Sequence, residues 1–202
     1  MRIFKNSTFE IRRVANIFSL VMALLILNVP INAHAVEGDN SIKFTAAFNP
    51  VGGIFLLDYE RMIANKFSVG GRVGAIDYET DDGSYNEKGD GNGIEATFRW
   101  YARGEGFSGF FLGAGLGYWN TDWTWTDPYD TPNKGSGSST AVDVNFTLGW
   151  KIGFGSSPVY FEPSIIAGNF FSVTTDSDTG SDSNESQLGL YAGVGLAIGF
   201  AF

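Results

Sequence analysis

The sequence contains no cysteine. That excludes a disulfide framework, a thiol nucleophile and a thiolate metal site. Histidine occurs once, at His34. General acid–base catalysis and activated nucleophiles most often rely on a histidine. Basic residues are also scarce: 13 Lys and Arg stand against 22 Asp and Glu, for a formal charge of −9. A chain this acidic has too few cations to neutralise phosphates, so nucleic acid is excluded as a partner. Long hydrophobic runs are missing apart from Ile17–Val29, which is short for a membrane-spanning helix. Mean hydropathy close to zero argues against a helical membrane protein.

The basic residues that do exist are unevenly placed. Residues 1–35 carry Arg2, Lys5, Arg12 and Arg13 against Glu10, a charge of +3, which leaves nine basic and twenty-one acidic residues (−12) for the remainder. A basic start, the apolar stretch Ile17–Val29, Pro30 and then Ala33-His34-Ala35 have the order of a secretory signal with an A-x-A cleavage site. The expectation is a signal peptide over 1–35, cleaved after Ala35, with an uncleaved anchor as the rival reading. Cleavage there also removes His34. Residues 36–202 then form one domain.

What this domain has in abundance is glycine (27 residues), aromatics (15%) and alternation. The final stretch, Ser186–Phe202, is the clearest case. Leu188, Leu190, Ala192, Val194, Leu196, Ile198, Phe200 and Phe202 share one face; glycines, Tyr191 and small residues share the other. A period of two is that of a β-strand. Seven more such strands are predicted at about Ser41–Phe48, Gly53–Ile63, from Phe67, Gly93–Arg103, Phe107–Thr121, Thr140–Phe154 and Val159–Phe171. Tight turns (Ala64-Asn65-Lys66, Gly104-Glu105-Gly106, Gly155–Pro158) alternate with polar segments at 79–92, 127–138 and 173–185, which read as long exposed loops. An even strand number with alternating short and long connections is the pattern of an outer-membrane barrel. The predicted fold is all-β: an eight-stranded antiparallel up-and-down transmembrane β-barrel, its last strand closing onto the first. A soluble barrel with its apolar face inward is the alternative. It fits poorly, because the non-apolar face is mostly glycine with few charges, as in a crowded interior.

Nine charged residues fall on that inner face: Lys43, Asp58, Glu60, Arg72, Glu95, Arg99, Asp143, Lys151 and Glu162. Buried charges persist when paired, and eight strands enclose only enough room for side chains. The cluster therefore reads as a structural salt-bridge core, with an ion or solute path as the sharper alternative. Small outer-membrane barrels that are enzymes use a histidine, and none remains after cleavage. No catalytic, cofactor-binding or metal-binding motif emerges. Asp176-x-Asp178-x-Gly180-x-Asp182 resembles a calcium loop, but Ser181 and Gln187 occupy the places that need Gly and Glu. Tyr59, Tyr118, Trp100, Trp119 and Trp150 read as interface aromatics. Trp123 and Trp125 read as girdle residues or as part of an external binding surface.

The runs Asn49-Pro50, Asp58-Tyr59-Glu60-Arg61, KFSVGGRVG from Lys66, IEATFRWYARG from Ile94 and GFFLGAGLGYW from Gly109 resemble the small porin-like outer-membrane barrels of unknown function. More distantly they are similar to the barrels of OmpA-type and OmpW/OmpX-type proteins. The resemblance implies an eight-stranded outer-membrane barrel with no assigned activity. It also implies that Phe202 is a signal to the barrel assembly machinery. No peptidoglycan-binding segment follows the last strand, so a cell-wall tether is not expected. The resulting expectation is an integral outer-membrane protein, exported through its signal peptide, without enzymatic activity. Its partners would be outer-membrane lipid and the barrel assembly machinery, and its role structural or surface-interacting through acidic loops that meet an unidentified extracellular ligand. A narrow channel or small-solute carrier is the alternative.

Overall fold

A computed structural model describes residues 38–49, 52–81, 86–102, 106–127, 129, 134–177 and 189–202. The expected signal segment 1–35 lies outside the described residues, as does most of the 173–185 stretch. Eight strands follow one another: β1 (Asn40–Asn49), β2 (Gly52–Ala64), β3 (Phe67–Asp81), β4 (Asn86–Tyr101), β5 (Gly109–Thr126), β6 (Lys134–Gly153), β7 (Val159–Ser177) and β8 (Leu190–Ala201). Each pairs antiparallel with the next, and β8 pairs with β1, so the sheet is a closed barrel. The seam runs from Ser41↔Ala201 to Phe48↔Val194. At its end, the N–H of Phe202 donates to the Asn40 carbonyl (2.8 Å) and the Asn40 N–H donates to the Phe202 carbonyl (3.0 Å). The seam leaves neither strand with a free edge, which removes the aggregation hazard of so apolar a strand.

The in–out alternation is that of the sequence. On β8, Ile198, Phe200 and Phe202 are exposed, while Ala197, Gly199 and Ala201 are buried. The exposed side of the barrel is an apolar belt that includes Phe44, Leu57, Val73, Ile94, Leu116 and Phe146, each more than half exposed. In water such a surface would be prohibitive. In lipid it is the solvent-facing side.

The strands range from 10 residues in β1 to 20 in β6, whereas about 9–11 cross a bilayer. The surplus lies at the end of the barrel opposite the chain termini, called here the far end. Two expectations are corrected there. Residues 79–92 are not a long loop, since β3 runs to Asp81 and β4 starts at Asn86, paired Glu79↔Lys88 and Asp77↔Asp90. Residues 122–126 and 134–138 likewise belong to β5 and β6. Among the described residues, only β3 to β7 project in this way. Their neighbours β8, β1 and β2 stop close to the edge of the apolar belt, so the described far rim is high on one side and low on the other.

The interior is filled by large side chains lying against glycines. Tyr78, Phe111, Trp119, Tyr160 and Tyr191 each sit directly across from a glycine of the adjacent strand: Gly89, Gly149, Gly93, Gly199 and Gly168. A methyl group placed on Gly199 would collide with the Tyr160 ring. The small residues therefore make room for the inward aromatics, as in other curved sheets. Two apolar layers result. One, near the termini, contains Tyr101, Phe107, Phe111, Tyr160 and Ala201. The other, toward the far end, contains Leu56, Ile76, Trp119, Ala141 and Phe170.

Candidate functional site: the lumen and the outer wall

All nine charged residues singled out in the sequence point into the barrel, and none is more than 6% exposed. They form two groups between the apolar layers. In the first, Glu60 and Glu162 are shared by three cations. Lys43 reaches Glu162 at 2.7 Å and Glu60 at 3.6 Å. Arg99 reaches them at 3.0 and 3.3 Å, and Lys151 lies 3.0 Å from Glu60 and 3.6 Å from Glu162. Ser68 and Tyr101 also donate to Glu60. The spare positive charge is met by aromatic faces. The Lys151 ammonium lies 4.2 Å from the Phe107 ring centre and 4.3 Å from that of Tyr160, and the Arg99 guanidinium lies 4.4 Å from that of Phe111. Desolvated cation–π contacts of this kind are worth about 2 kcal/mol.

In the second group Arg72 bridges Asp58 and, at 3.1 Å, Glu95. Thr45 donates to Asp58. Asp143 accepts from Asn145 at 2.6 Å and from the Tyr191 hydroxyl at 3.1 Å. Beside them is a cavity of about 20 Å³ lined by residues including Arg72, Glu95, Trp119, Asp143, Asn145 and Tyr191. That volume suits a single water, and the indole N–H of Trp119 and the Oδ1 of Asn145 are buried there without a protein partner. Among the described residues, eight of the nine charges stand in ion pairs and Asp143 is held by hydrogen bonds alone.

The interface aromatics divide. Tyr59 and Tyr118 face outward and are about half exposed. Trp119 does not belong with them: it faces inward at 2% exposure and packs edge-on against Phe170. Trp123 and Trp125, expected beyond strand 5, lie within β5 on the same inward side as Trp119, so they are not girdle residues. The inner aromatic layers went unread in the sequence, although Tyr101 and Tyr160 share the parity of their charged neighbours Arg99 and Glu162. Among the described residues, no group of three or more His, Cys, Asp or Glu is placed to hold a metal ion.

The outer wall of β3 to β6 changes character at a definite level. Val73, Ile94, Tyr118 and Val142 are in register, and the next outward row is Ala75, Asn92, Asn120 and Thr140. Above that stand Asp77, Asp90 and Asp122, then Glu79, Lys88 and Thr124. Lys88 pairs with Glu79 at 3.0 Å, with both side chains more than half exposed. Hydrogen bonds from Lys88 and Asn86 hold the Glu79 carboxyl below the usual carboxylate range. On the inner side of the same projection, burial pushes the Glu87 carboxyl up despite a hydrogen bond from the Tyr78 hydroxyl.

No protein-family model matches the sequence, and no curated protein matches it. Solved structures do. A major outer membrane protein from Thermus thermophilus superposes with a TM-score of 0.54 at 15% identity, over 81% of this chain and 98% of that one. The chain has the fold of an outer-membrane β-barrel. Two further barrels match at lower scores. The N-terminal β-barrel domain of Pseudomonas aeruginosa OprF gives 0.46 at 13% identity, covering 82% and 98% of the two chains. Ail, the attachment invasion locus protein of Yersinia pestis, gives 0.47 at 10% identity, covering 82% and 100%. For an outer-membrane barrel, the charge-filled lumen and the projecting acidic wall are the two features that separate possible roles.

Proposed function

We propose that the protein is exported through residues 1–35 and resides in the outer membrane. There it acts, without enzymatic activity, by presenting its far end to the outside of the cell. On the general orientation of such barrels, short turns and termini face the periplasm and the longer connections face outward. The projecting wall of β3 to β7, with Asp77, Glu79, Asp90 and Asp122, is then the interaction surface. The observation that carries this reading is the lumen. Eight of the nine buried charges are ion-paired and Asp143 is held by hydrogen bonds, with an apolar layer on either side. An aqueous path would require those ion pairs to open in a low-dielectric interior, at several kilocalories each.

Electrical recording tests it. Purified barrel inserted in planar bilayers is expected to leave the membrane at its baseline conductance. Discrete, reproducible conductance steps that change with Arg99→Ala would favour the narrow-channel alternative instead.

A further inference from the structure

The two lumen groups do not balance. In the first, Lys43, Arg99 and Lys151 face Glu60 and Glu162, three cations against two carboxylates. In the second, Arg72 alone stands against Asp58, Glu95 and Asp143. The lumen as a whole therefore sets four cations against five carboxylates, one negative charge in excess. A buried charge without a counter-charge is expensive, and a carboxyl so placed neutralises itself by keeping a proton. The odd member is Asp143, 1% exposed, which is hydrogen-bonded but stands in no ion pair among the described residues.

Glu95 on β4, Arg72 on β3 and Tyr191 on β8 act on Asp143, with Asp58 of β2 behind Arg72. From β5 comes Trp119, whose indole nitrogen lies with Asp143 over Gly117. At this level β1 brings Ala47, and β7 brings Ile166 and Phe170. Asn145, two residues along β6, lies between the carboxylates of Asp143 and Glu95. Its Nδ2 donates to Asp143 at 2.6 Å. Glu95 Oε1 is packed against the same amide, since a methyl group on Gly115 would strike that oxygen and both amide atoms at once. The Asn145 Oδ1, on a side chain 2% exposed, is left without a partner. Turning the amide over would serve Glu95 and set the oxygen against Asp143 instead. In either orientation Asp143, Asn145 and Glu95 have one donor too few. The cavity of about 20 Å³ beside them reaches Asn49 and Gly193, on the low side of the described far rim.

We propose that Asp143, Asn145 and Glu95 form a proton-binding site, which holds one proton from the outer medium on Asp143. In the loaded state the Asp143 hydroxyl donates to Asn145 Oδ1. The turned amide donates through Nδ2 to Glu95, and Tyr191 still donates to Asp143. Five carboxyl groups then carry four charges, which the four cations match. One O–H bond forms on Asp143 as one breaks in a hydronium ion of the medium, and no other bond changes. A water in the cavity accepts from the Trp119 N–H and passes the proton on. A metal cation does not take the proton's place, because the Trp119 N–H, a donor, shares the same small space. The side from which the proton enters rests on the orientation given above; its binding does not.

The test is carbon NMR of the full barrel in detergent, with its aspartates isotopically labelled at the carboxyl carbon. At pH about 5, exposed aspartates are roughly nine-tenths ionised. One resonance is expected to remain at the protonated position there, and to be the one missing from Asp143→Asn. Glu95→Gln is expected to move that resonance to the ionised position, because the lumen then balances without a proton and the new amide can donate to Asn145 Oδ1. A wild-type spectrum with every aspartate ionised at that pH overturns the proposal, and this reading needs no variant to fold. So does a protonated resonance that survives in Asp143→Asn, or one that stays protonated in Glu95→Gln. Exchanging choline for sodium or potassium at constant ionic strength is expected to leave the spectrum unchanged; a shift would put a metal cation at the site and overturn the proposal as well. Both ends of the barrel meet the same buffer in detergent, so a wrong orientation leaves these spectra untouched. Protease added to whole cells reads the orientation separately.

Discussion

Arg99 shows how much a single residue can hold together in this interior. Its guanidinium touches both carboxylates of the first lumen group and covers the Phe111 ring. Removing one partner of a buried ion pair costs about 3–5 kcal/mol, since the remaining charge stays desolvated. Lys43 and Lys151 still face Glu60 and Glu162 in its absence, which places Arg99→Ala at the lower end of that range. Lys88→Ala, on an exposed pair, is expected to cost about 0–1 kcal/mol. Urea unfolding of the two variants in detergent would show the difference; wild-type stability in Arg99→Ala would mean that the lumen charges are not a structural core. Parity made these charges legible in the sequence, because a charged residue among glycines on a strict period of two can only face inward in a lipid-exposed barrel. Parity also applied to Trp119, yet a tryptophan near a strand end looks like an interface anchor. What sent it inward was Gly93 on the neighbouring strand, a pairing that depends on register and not on local sequence.

At the scale of elements, strand number, order and the tight turns at 64–66 and 155–158 were legible, while strand length was not. Residues 86–92, Asn-Glu-Lys-Gly-Asp-Gly-Asn, have the composition of a loop. They form a strand because they pair with residues 120–126, where Trp123, Trp125 and three threonines supply the β-propensity that the first segment lacks. This extension should respond to pH. A carboxyl raised in the folded state, such as Glu87, destabilises the fold as pH climbs from its unfolded value, about 4.3, through the raised one. Glu79, held low, does the opposite, and its contribution disappears only on acidification below the ordinary glutamate range. Above pH about 5, therefore, Glu87 governs. The protection of amides 86–89, taken relative to the intrinsic base-catalysed exchange rate, is expected to fall toward neutral pH in wild type and to lose that dependence in Glu87→Gln. An unchanged pH profile in the variant would remove Glu87 as the cause.

For the molecule as a whole, the barrel divides its work by direction. The inside neutralises itself, the belt faces lipid, and the tall side of the far rim carries the exposed charge. Phe202 belongs to this scale, because its ring is half exposed beside Phe200 while its backbone fastens the last residue to Asn40. If the ring is read by the assembly machinery, deleting Phe202 should reduce the amount of assembled barrel in cells far more than the yield of refolding in detergent. Equal losses in both would assign it a structural role only.

The seam between β1 and β8 also sets the timing of folding. Ser41 must wait for Ala201, so the ring cannot be finished in the order in which the chain is made. Until the last few residues are delivered, both β1 and β7 have an unsatisfied side, and the lumen charges have only some of their partners. The open sheet must therefore be chaperoned or held until its final strand arrives, and the barrel completes in one late event.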